Sequence, residues 1–373
     1  MSAYKKIRFA RFFVCTLLLF AMLAAEAGAL DLSAQSAILI DADSGEILYG
    51  SNYLQKMPMA STTKIMTAVV AIENMPLDTK IKIPETATGI EGSSVYLCTG
   101  EILTLEHLLY ALLLSSANDA ATAIAIAVGG SVDRFADMMN ETADRLGLKN
   151  THFENPHGLD GESHYTTAED LARLTAYALT LPKFREIVST YKKSIPFDNK
   201  ENGRLLVNHN KLLRSYSGAI GVKTGFTKKS GRCLVSAAER NGVTLIVVTL
   251  NAPNDWQDHT AMLDYGFENY EAVTLGDFYI EMPVISGKKS AVCCATVECI
   301  SVLLPKSHGE IEARVEIYPF LYAPVNQGEC IGRVVYVCDG KEIGEIEITA
   351  TENIEASKQK YTVWDRIFDK NKD

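Results

Sequence analysis

The hydrophobic pattern of this chain changes period twice between residues 36 and 250, and that change limits the fold more than any other feature. Ser36–Asp41 reads as a strand, Asp43-Ser44-Gly45 as a turn and Glu46–Tyr49 as a returning strand, which together make a hairpin. From Ser61 the spacing becomes helical, with Ile65, Met66, Val69, Val70 and Ile72 on the pattern. Further helices are predicted over about Leu105–Leu114, Asp119–Val128, Val132–Leu146 and Thr167–Leu179. Beyond Lys192 short strands return at Arg204–Val207, Ala219–Lys223, Arg232–Ala238 and Val243–Leu250, and a helix covers Asp255–Phe267. Strands at both ends with helices between them imply a sheet whose outer strands come from both ends, with the helical middle as a second layer. Past Ala272 the helical pattern stops. Strand-like runs at Phe278–Met282, Ala291–Ile300, Ile311–Ile317, Cys330–Cys338 and Ile343–Ile348, with turns at Gly287, Gly328 and Gly340, predict a small all-β domain. The expected organisation is a leader at 1–29, a first domain at 30–271, a β-rich domain at 272–355 and a tail at 356–373.

The leader has its own logic. Lys5, Lys6, Arg8 and Arg11 precede an apolar run from Phe12 to Ala25, and small residues follow up to Ala29. This is the three-part pattern of a secretory signal peptide, with cleavage expected after Ala27 or Ala29; an uncleaved membrane anchor is the alternative. The chain is 47% hydrophobic and 22% charged, which excludes a multi-span membrane protein and wholesale disorder. Its net charge is −10, and the leader carries four basic residues against Glu26 alone, so the remainder is more acidic still. Such a surface argues against nucleic acid as partner. Cys15 lies in the leader. Seven cysteines remain, an odd number, and they stay open between free and bridged structural residues; a zinc site is the third reading, although no CxxC pair is present. Tyr361–Phe368 carries an amphipathic pattern, readable as a short membrane-surface helix or as a frayed tail.

Three short motifs carry the chemistry. Ser61-Thr62-Thr63-Lys64 starts a helical pattern and puts the Ser61 hydroxyl and the Lys64 amine on one face. A serine needs an adjacent base, and a lysine whose pKa is lowered by burial or a nearby cation can be that base. Ser116-Ala117-Asn118 lies on a turn between helices, where Ser116 can relay a proton and Asn118 can bond a substrate amide. Lys223-Thr224-Gly225 ends a strand. A strand at a cleft edge can pair with an extended peptide, Lys223 and Thr224 can bind a terminal carboxylate, and Gly225 permits close approach. Each motif alone is weak. In this order and these contexts they form the set of penicillin-binding proteins and class A β-lactamases.

With Asn155-Pro156-His157-Gly158-Leu159, Glu91-Gly92-Ser93-Ser94 and Asn254-Asp255-Trp256-Gln257-Asp258-His259 added, the chain resembles the low-molecular-mass penicillin-binding proteins. These are serine-type D-Ala-D-Ala carboxypeptidases of peptidase family S11, and the likeness is to the Gram-positive vegetative or sporulation branch. The resemblance implies an α+β fold of the β-lactamase/transpeptidase type: an antiparallel sheet flanked by helices with an all-helical subregion, plus the all-β domain. It also implies that Ser61 attacks the penultimate D-Ala carbonyl with Lys64 as base. The oxyanion would lie between the backbone N–H groups of Ser61 and Phe226, Ser116 and Asn118 would line the cleft, and Lys223 and Thr224 would face them. The implied substrate is the peptidoglycan stem peptide, trimmed from pentapeptide to tetrapeptide. β-Lactams are the implied covalent inhibitors, the implied location is the outer face of the cytoplasmic membrane or the wall, and no cofactor is needed.

Two positions depart from the pattern. Some relatives have His after Lys-Thr-Gly, where this chain has Phe226, and some have Arg before Asn-x-Leu-Leu, where it has His209 before Asn210-Lys211-Leu212-Leu213. His157 reads as a turn histidine that bonds backbone, Glu91 and Ser93 as loop-shaping residues, and Asp41 and Asp43 as turn formers. The rival functions are a D,D-endopeptidase with the same residues, a β-lactamase with Glu154 as the deacylating carboxylate, and a non-catalytic sensor of β-lactam or peptidoglycan.

Overall fold

A computed structural model of the chain describes residues 30–197 and 203–357. The expected leader and the Tyr361–Phe368 segment lie outside the described residues. The chain divides into two compact units, one ending at Gly266 and one continuing from Phe267, with Arg240–Val243 assigned to the second.

The first unit is built on strands β1 (Ser36–Asp41), β2 (Ile47–Ser51), β7 (Ala219–Thr227), β8 (Gly231–Arg240) and β9 (Val243–Leu250). They form a five-stranded sheet in the order β2-β1-β9-β8-β7. Its edges therefore come from opposite ends of the unit, as the pattern predicts. β1 pairs antiparallel with both β2 and β9, and β7 pairs antiparallel with β8. Asp41 closes the β1–β2 turn by accepting from the Ser44 N–H and hydroxyl at 2.9 and 2.7 Å. All six residues of β1 are buried, so helices must cover both faces. Period-2 alternation sorts them. Ile38, Ile40, Ile246 and Val248 join the large helical core. Leu39 and Leu245 face the other way, against Gly266 of α8 (Asp255–Asn269), where a Cβ would lie 2.4 Å from Leu245 and 3.2 Å from Leu39.

The helical layer comprises α1 (Lys64–Asn74), α2 (Leu105–Leu114), α3 (Asn118–Gly129), α4 (Val132–Arg145), α5 (Ala168–Thr180), α6 (Pro182–Ser189) and a single turn α7 (Leu212–Ser215). Two small hairpins, β3 (Lys80–Lys82) with β4 (Ile102–Thr104) and β5 (Lys192–Ile195) with β6 (Arg204–Val207), flank it. Every residue from Lys64 to Ala71 is buried, which makes α1 the central helix, with Lys64 and Thr67 as the polar side chains among them. Side-chain caps fix three starts: Thr104 accepts from His107 N–H at 3.2 Å, Ser131 from Arg134 N–H at 3.1 Å and Thr167 from Asp170 N–H at 3.1 Å.

Two details differ from expectation in this unit. The helix does not begin at Ser61: Ala60–Thr63 is a 3-10 turn and the α-helix starts at Lys64. Ala60 has φ 45°, and the hydroxyls of Thr62 and Thr63 donate to the carbonyls of Met59 and Ala60 at 2.6 and 2.7 Å, so side chains compete with the helical ladder. In addition α6 was not expected; Leu181-Pro182 looks like a helix end, yet Pro182 opens a new helix, where its missing N–H costs nothing.

The second unit is all β. β14 (Ile311–Ile317), β16 (Cys330–Cys338), β17 (Lys341–Ala350), β12 (Ala291–Thr296), β11 (Tyr279–Ile285) and β15 (Leu321–Tyr322) form a six-stranded sheet in that order, and β10 (Tyr270–Leu275) pairs with β13 (Ile300–Pro305). Leu275, Met282, Val292, Val334, Ile346 and Ile348 fill its core. The run expected as one strand over 291–300 is two, β12 and β13, because the break at Val297-Glu298-Cys299 contains no Gly or Pro to announce it. All seven described cysteines are free thiols. Among the described residues no helix is long and apolar enough to cross a membrane, and no three His, Cys, Asp or Glu side chains gather as a metal site. Leu39→Ala, which removes buried methyl groups between the sheet and α8, is expected to destabilise the first unit by about 3 kcal/mol; scanning calorimetry would show its transition lowered.

Candidate active site

The site begins with the break at the start of α1. The 3-10 turn leaves Ser61 half-exposed while Lys64, one turn on, is completely buried. Lys64 Nζ lies 2.9 Å from Ser61 Oγ, 2.7 Å from Asn118 Oδ1 and 2.5 Å from the carbonyl oxygen of His157. Asn118 Oδ1 and the His157 carbonyl can only accept, so each takes an N–H from Nζ. A neutral amine has two N–H bonds and one lone pair, and that lone pair is then left facing Ser61 Oγ. Burial drives the Lys64 pKa well below its ordinary value; the charge of Lys223 pushes the same way and Asp119 opposes it.

Two loops hold the acceptors in place. In Asn155–Leu159 the Asn155 side chain accepts from the Gly158 N–H at 2.7 Å and donates to the Leu159 carbonyl at 3.0 Å. Pro156 O accepts from Thr67 of α1 at 2.6 Å, which ties the loop down beside Lys64. At Gly158, with φ +88°, a Cβ would sit 1.9 Å from the Ala60 carbonyl, so only glycine lets the loop lie on the Ser61 turn. His157 is a backbone-bonding turn residue: its Nδ1 accepts from the Leu159 N–H at 3.2 Å, and burial lowers its pKa to about 3. His164 braces the same turn. Its Nδ1 accepts from the Glu154 N–H at 3.0 Å, so Nε2 carries the proton and donates to Thr63 Oγ1 at 2.8 Å.

The second loop runs over the start of α3. Asn118 Nδ2 donates to the Glu91 carbonyl at 2.6 Å, and the Asn118 N–H donates to Ser93 O at 2.7 Å. Buried Asp119 accepts from Ser94 Oγ at 2.6 Å and from the Leu97 N–H at 3.0 Å. Both ends of the Asn118 amide are thus engaged within the protein. Ser116, just before α3, has φ 58°, a conformation costing about 1–3 kcal/mol in a non-glycine residue and typical of functional sites.

The opposite wall is β7. Gly225 passes so close to the Ser61 turn that a Cβ would lie 3.0 Å from Ser61 N and 3.1 Å from Ala60 Cβ. Lys223 is buried, donates to the Thr224 carbonyl at 2.8 Å, and has its pKa pushed down to about 7 by burial. The resulting cleft, about 380 Å³, is lined by Ser61, Ser93, Ser116, Thr224, Gly225 and Phe226, and also by His209, Lys211, Arg232, Asp255 and Trp256. His209 has its pKa lowered by desolvation and by the charge of Lys223.

The structure therefore brings Ser61, Lys64, Ser116, Asn118, Lys223, Thr224, Gly225, Phe226 and His209 around one cleft. Sequence reasoning did not find Thr63, His164 or Asp119, whose partners are far away in the chain, nor Arg232, which carries no motif, and it gave no role to Lys211 within Asn210-Lys211-Leu212-Leu213. Asp255 and Trp256 lie in a quoted motif but had no role assigned.

Comparison with known proteins gives the family. Residues 23–254 match the D-alanyl-D-alanine carboxypeptidase family model, and residues 267–356 match the C-terminal domain of penicillin-binding protein 5. The chain belongs to the D-alanyl-D-alanine carboxypeptidase family, peptidase S11. It is 32% identical over 334 residues to D-alanyl-D-alanine carboxypeptidase DacF of Bacillus subtilis, covering 86% of each chain. A D-alanyl-D-alanine endopeptidase of Pseudomonas aeruginosa is 32% identical over 223 residues, covering 58% of this chain and 72% of that one. Penicillin-binding protein 5 from Haemophilus influenzae superposes with a TM-score of 0.72 at 30% identity, over 88% of this chain and 99% of that one. The activity of the chain is that of a serine-type D-Ala-D-Ala carboxypeptidase, with peptidoglycan as substrate and β-lactams as ligands. Gly225→Val should push β7 off the Ser61 turn and slow acylation by a fluorescent penicillin by roughly a hundredfold, with the melting temperature showing whether the fold is kept.

Proposed function

We propose that Ser61 is the nucleophile and Lys64 its base, and that the enzyme trims the terminal D-Ala from pentapeptide stems. The observation that carries this is the buried Lys64 amine 2.9 Å from Ser61 Oγ, with Asn118 Oδ1 and His157 O placed to accept its N–H bonds, so that the neutral form turns its lone pair to the hydroxyl. Lys64 takes the hydroxyl proton as Oγ attacks the penultimate D-Ala carbonyl. The oxyanion lies between the backbone N–H groups of Ser61 and Phe226, a pairing supported by the close approach of Gly225 to Ser61 N. Collapse expels D-alanine, whose nitrogen takes a proton through Ser116, and water then releases the acyl group. Asn118 holds Lys64 rather than the substrate. Lys223 adds positive charge beside the base, and Thr224 and His209 flank the leaving residue at the far end.

The reading of 30–271 as catalytic domain and 272–355 as accessory domain draws support from the family matches at 23–254 and 267–356. Export through the leader suits a substrate in the wall, and an acidic chain suits an enzyme without nucleic-acid partners; membrane contact through the tail remains part of the same proposal. An endopeptidase reading draws support from the Pseudomonas relative, since only the leaving amine differs. A β-lactamase reading is disfavoured because the Glu154 carboxylate accepts from the Ser163 N–H at 2.8 Å instead of addressing a water at Ser61. A pure sensor would release no D-Ala.

Incubating the purified protein with a pentapeptide stem should release free D-Ala, and Ser61→Ala should release none; equal release by both would remove Ser61 from the role. The pH profile tests Lys64. Acylation needs the neutral amine, so its rate rises with pH through the Lys64 pKa. Lys223→Met removes a charge that lowers that pKa. The acidic limb of the profile should therefore move to higher pH in the variant, and an unmoved or lowered limb would contradict the base assignment.

A further inference from the structure

The terminal carboxylate of the substrate needs a cation, and the chain has His209 where an arginine would be expected. His209 is held towards its neutral form by burial and by the charge of Lys223, so it is a poor anchor for a carboxylate at neutral pH. Two other cationic side chains line the cleft, Lys211 and Arg232. Lys211 Nζ stands 5.7 Å over the Trp256 ring. Arg232 is differently placed. It pairs directly with Phe226 across β7 and β8, so Arg232, Phe226 and Thr224 project from one face of the sheet. The start of α8 adjoins them with Asp255, buried to 2% exposure. Arg232 Nη2 alone meets that carboxylate, 2.9 Å from Oδ1 and 2.9 Å from Oδ2. The guanidinium is thereby oriented from behind while its side chain stays 43% exposed, and Nε and Nη1 keep donors for a second carboxylate.

We propose that Arg232, oriented by Asp255, receives the C-terminal carboxylate of the substrate beside Thr224, and so makes this enzyme select free peptide acids. The proposal rests on the carboxypeptidase reading above and adds to it the residue that sets exo-specificity. Arg232 is a binding residue here, and Asp255 is a positioning residue.

The test is a ratio: kcat/KM for diacetyl-Lys-D-Ala-D-Ala against the same peptide as its C-terminal carboxamide. The wild type should prefer the acid. Arg232→Gln should lower that preference by roughly ten- to a hundredfold, the usual weight of a hydrogen bond to a charged group. Arg232→Lys, which keeps a point charge but loses the fork, should be intermediate and covers the case in which the glutamine variant fails to fold. Asp255→Asn should lower the ratio as well. A wild-type ratio kept in the Arg232 variants, whatever happens to the absolute rates, would overturn the proposal. A wild type that cleaves neither peptide would defeat the carboxypeptidase reading instead. Arg232 would then be judged by the same ratio for acylation by benzylpenicillin against its methyl ester, where an unchanged preference in Arg232→Gln again overturns it.

Discussion

The amine of Lys64 is the point on which the first unit turns. It is a fully buried lysine at the start of a helix whose first eight residues are all buried, and burying such a group is costly unless its donors are satisfied. Its partners come from three separate places in the chain: the turn at Ser61, the start of α3 at Asn118 and the loop at His157. Each partner is itself fastened. Asn118 grips the Glu91 carbonyl, and the His157 loop is folded around Asn155 and tied to Thr67. Removing any one of these fastenings leaves part of the need of a buried amine unmet, so local structure and catalytic readiness are the same quantity here.

Lys223 adds the electrostatic half. It is the second buried lysine of the site, lies on the strand that forms the opposite wall, and its charge adds to burial in lowering the pKa of the first amine. Neither lysine has a carboxylate in hydrogen-bond contact among the described residues. Their partners are carbonyl, amide and hydroxyl oxygens, which suits the proton transfer proposed for Lys64. Where a firm cation is wanted, at the leaving end of the cleft, the chain uses an arginine backed by a buried aspartate.

Much of this was legible in the sequence because it is written in local spacing. The strand edges, α1 to α5 and the three motifs follow from periodicity and from residues within four positions of each other. What was not legible depends on distant partners. His164 bonds Thr63 across the site, Asp119 holds a loop more than twenty residues upstream, and Arg232 acquires its meaning only from Asp255 and from its register opposite Phe226. The start of α1 was misplaced for a related reason: Thr62 and Thr63 are ordinary residues for a helix, and only their hydroxyl bonds to Met59 and Ala60 show that the first turn is diverted. In the second unit the division between β12 and β13 went unread because nothing but a change of partner strand marks it.

The strand order β2-β1-β9-β8-β7 has a consequence for when the protein acquires its chemistry. β1 is the second strand from one edge, and its inner neighbour is β9, with Ser36 opposite Leu250. Pairs so far apart in the chain form late, because a long loop must close before any contact repays it. The wall that carries Lys223 and Gly225 belongs to that same late-closing sheet. A chain that stops short of Val243 has its serine and its lysine but lacks β9, the strand that joins β1 to β8. The sheet that carries this wall is thus complete only once nearly all of the first unit has been made.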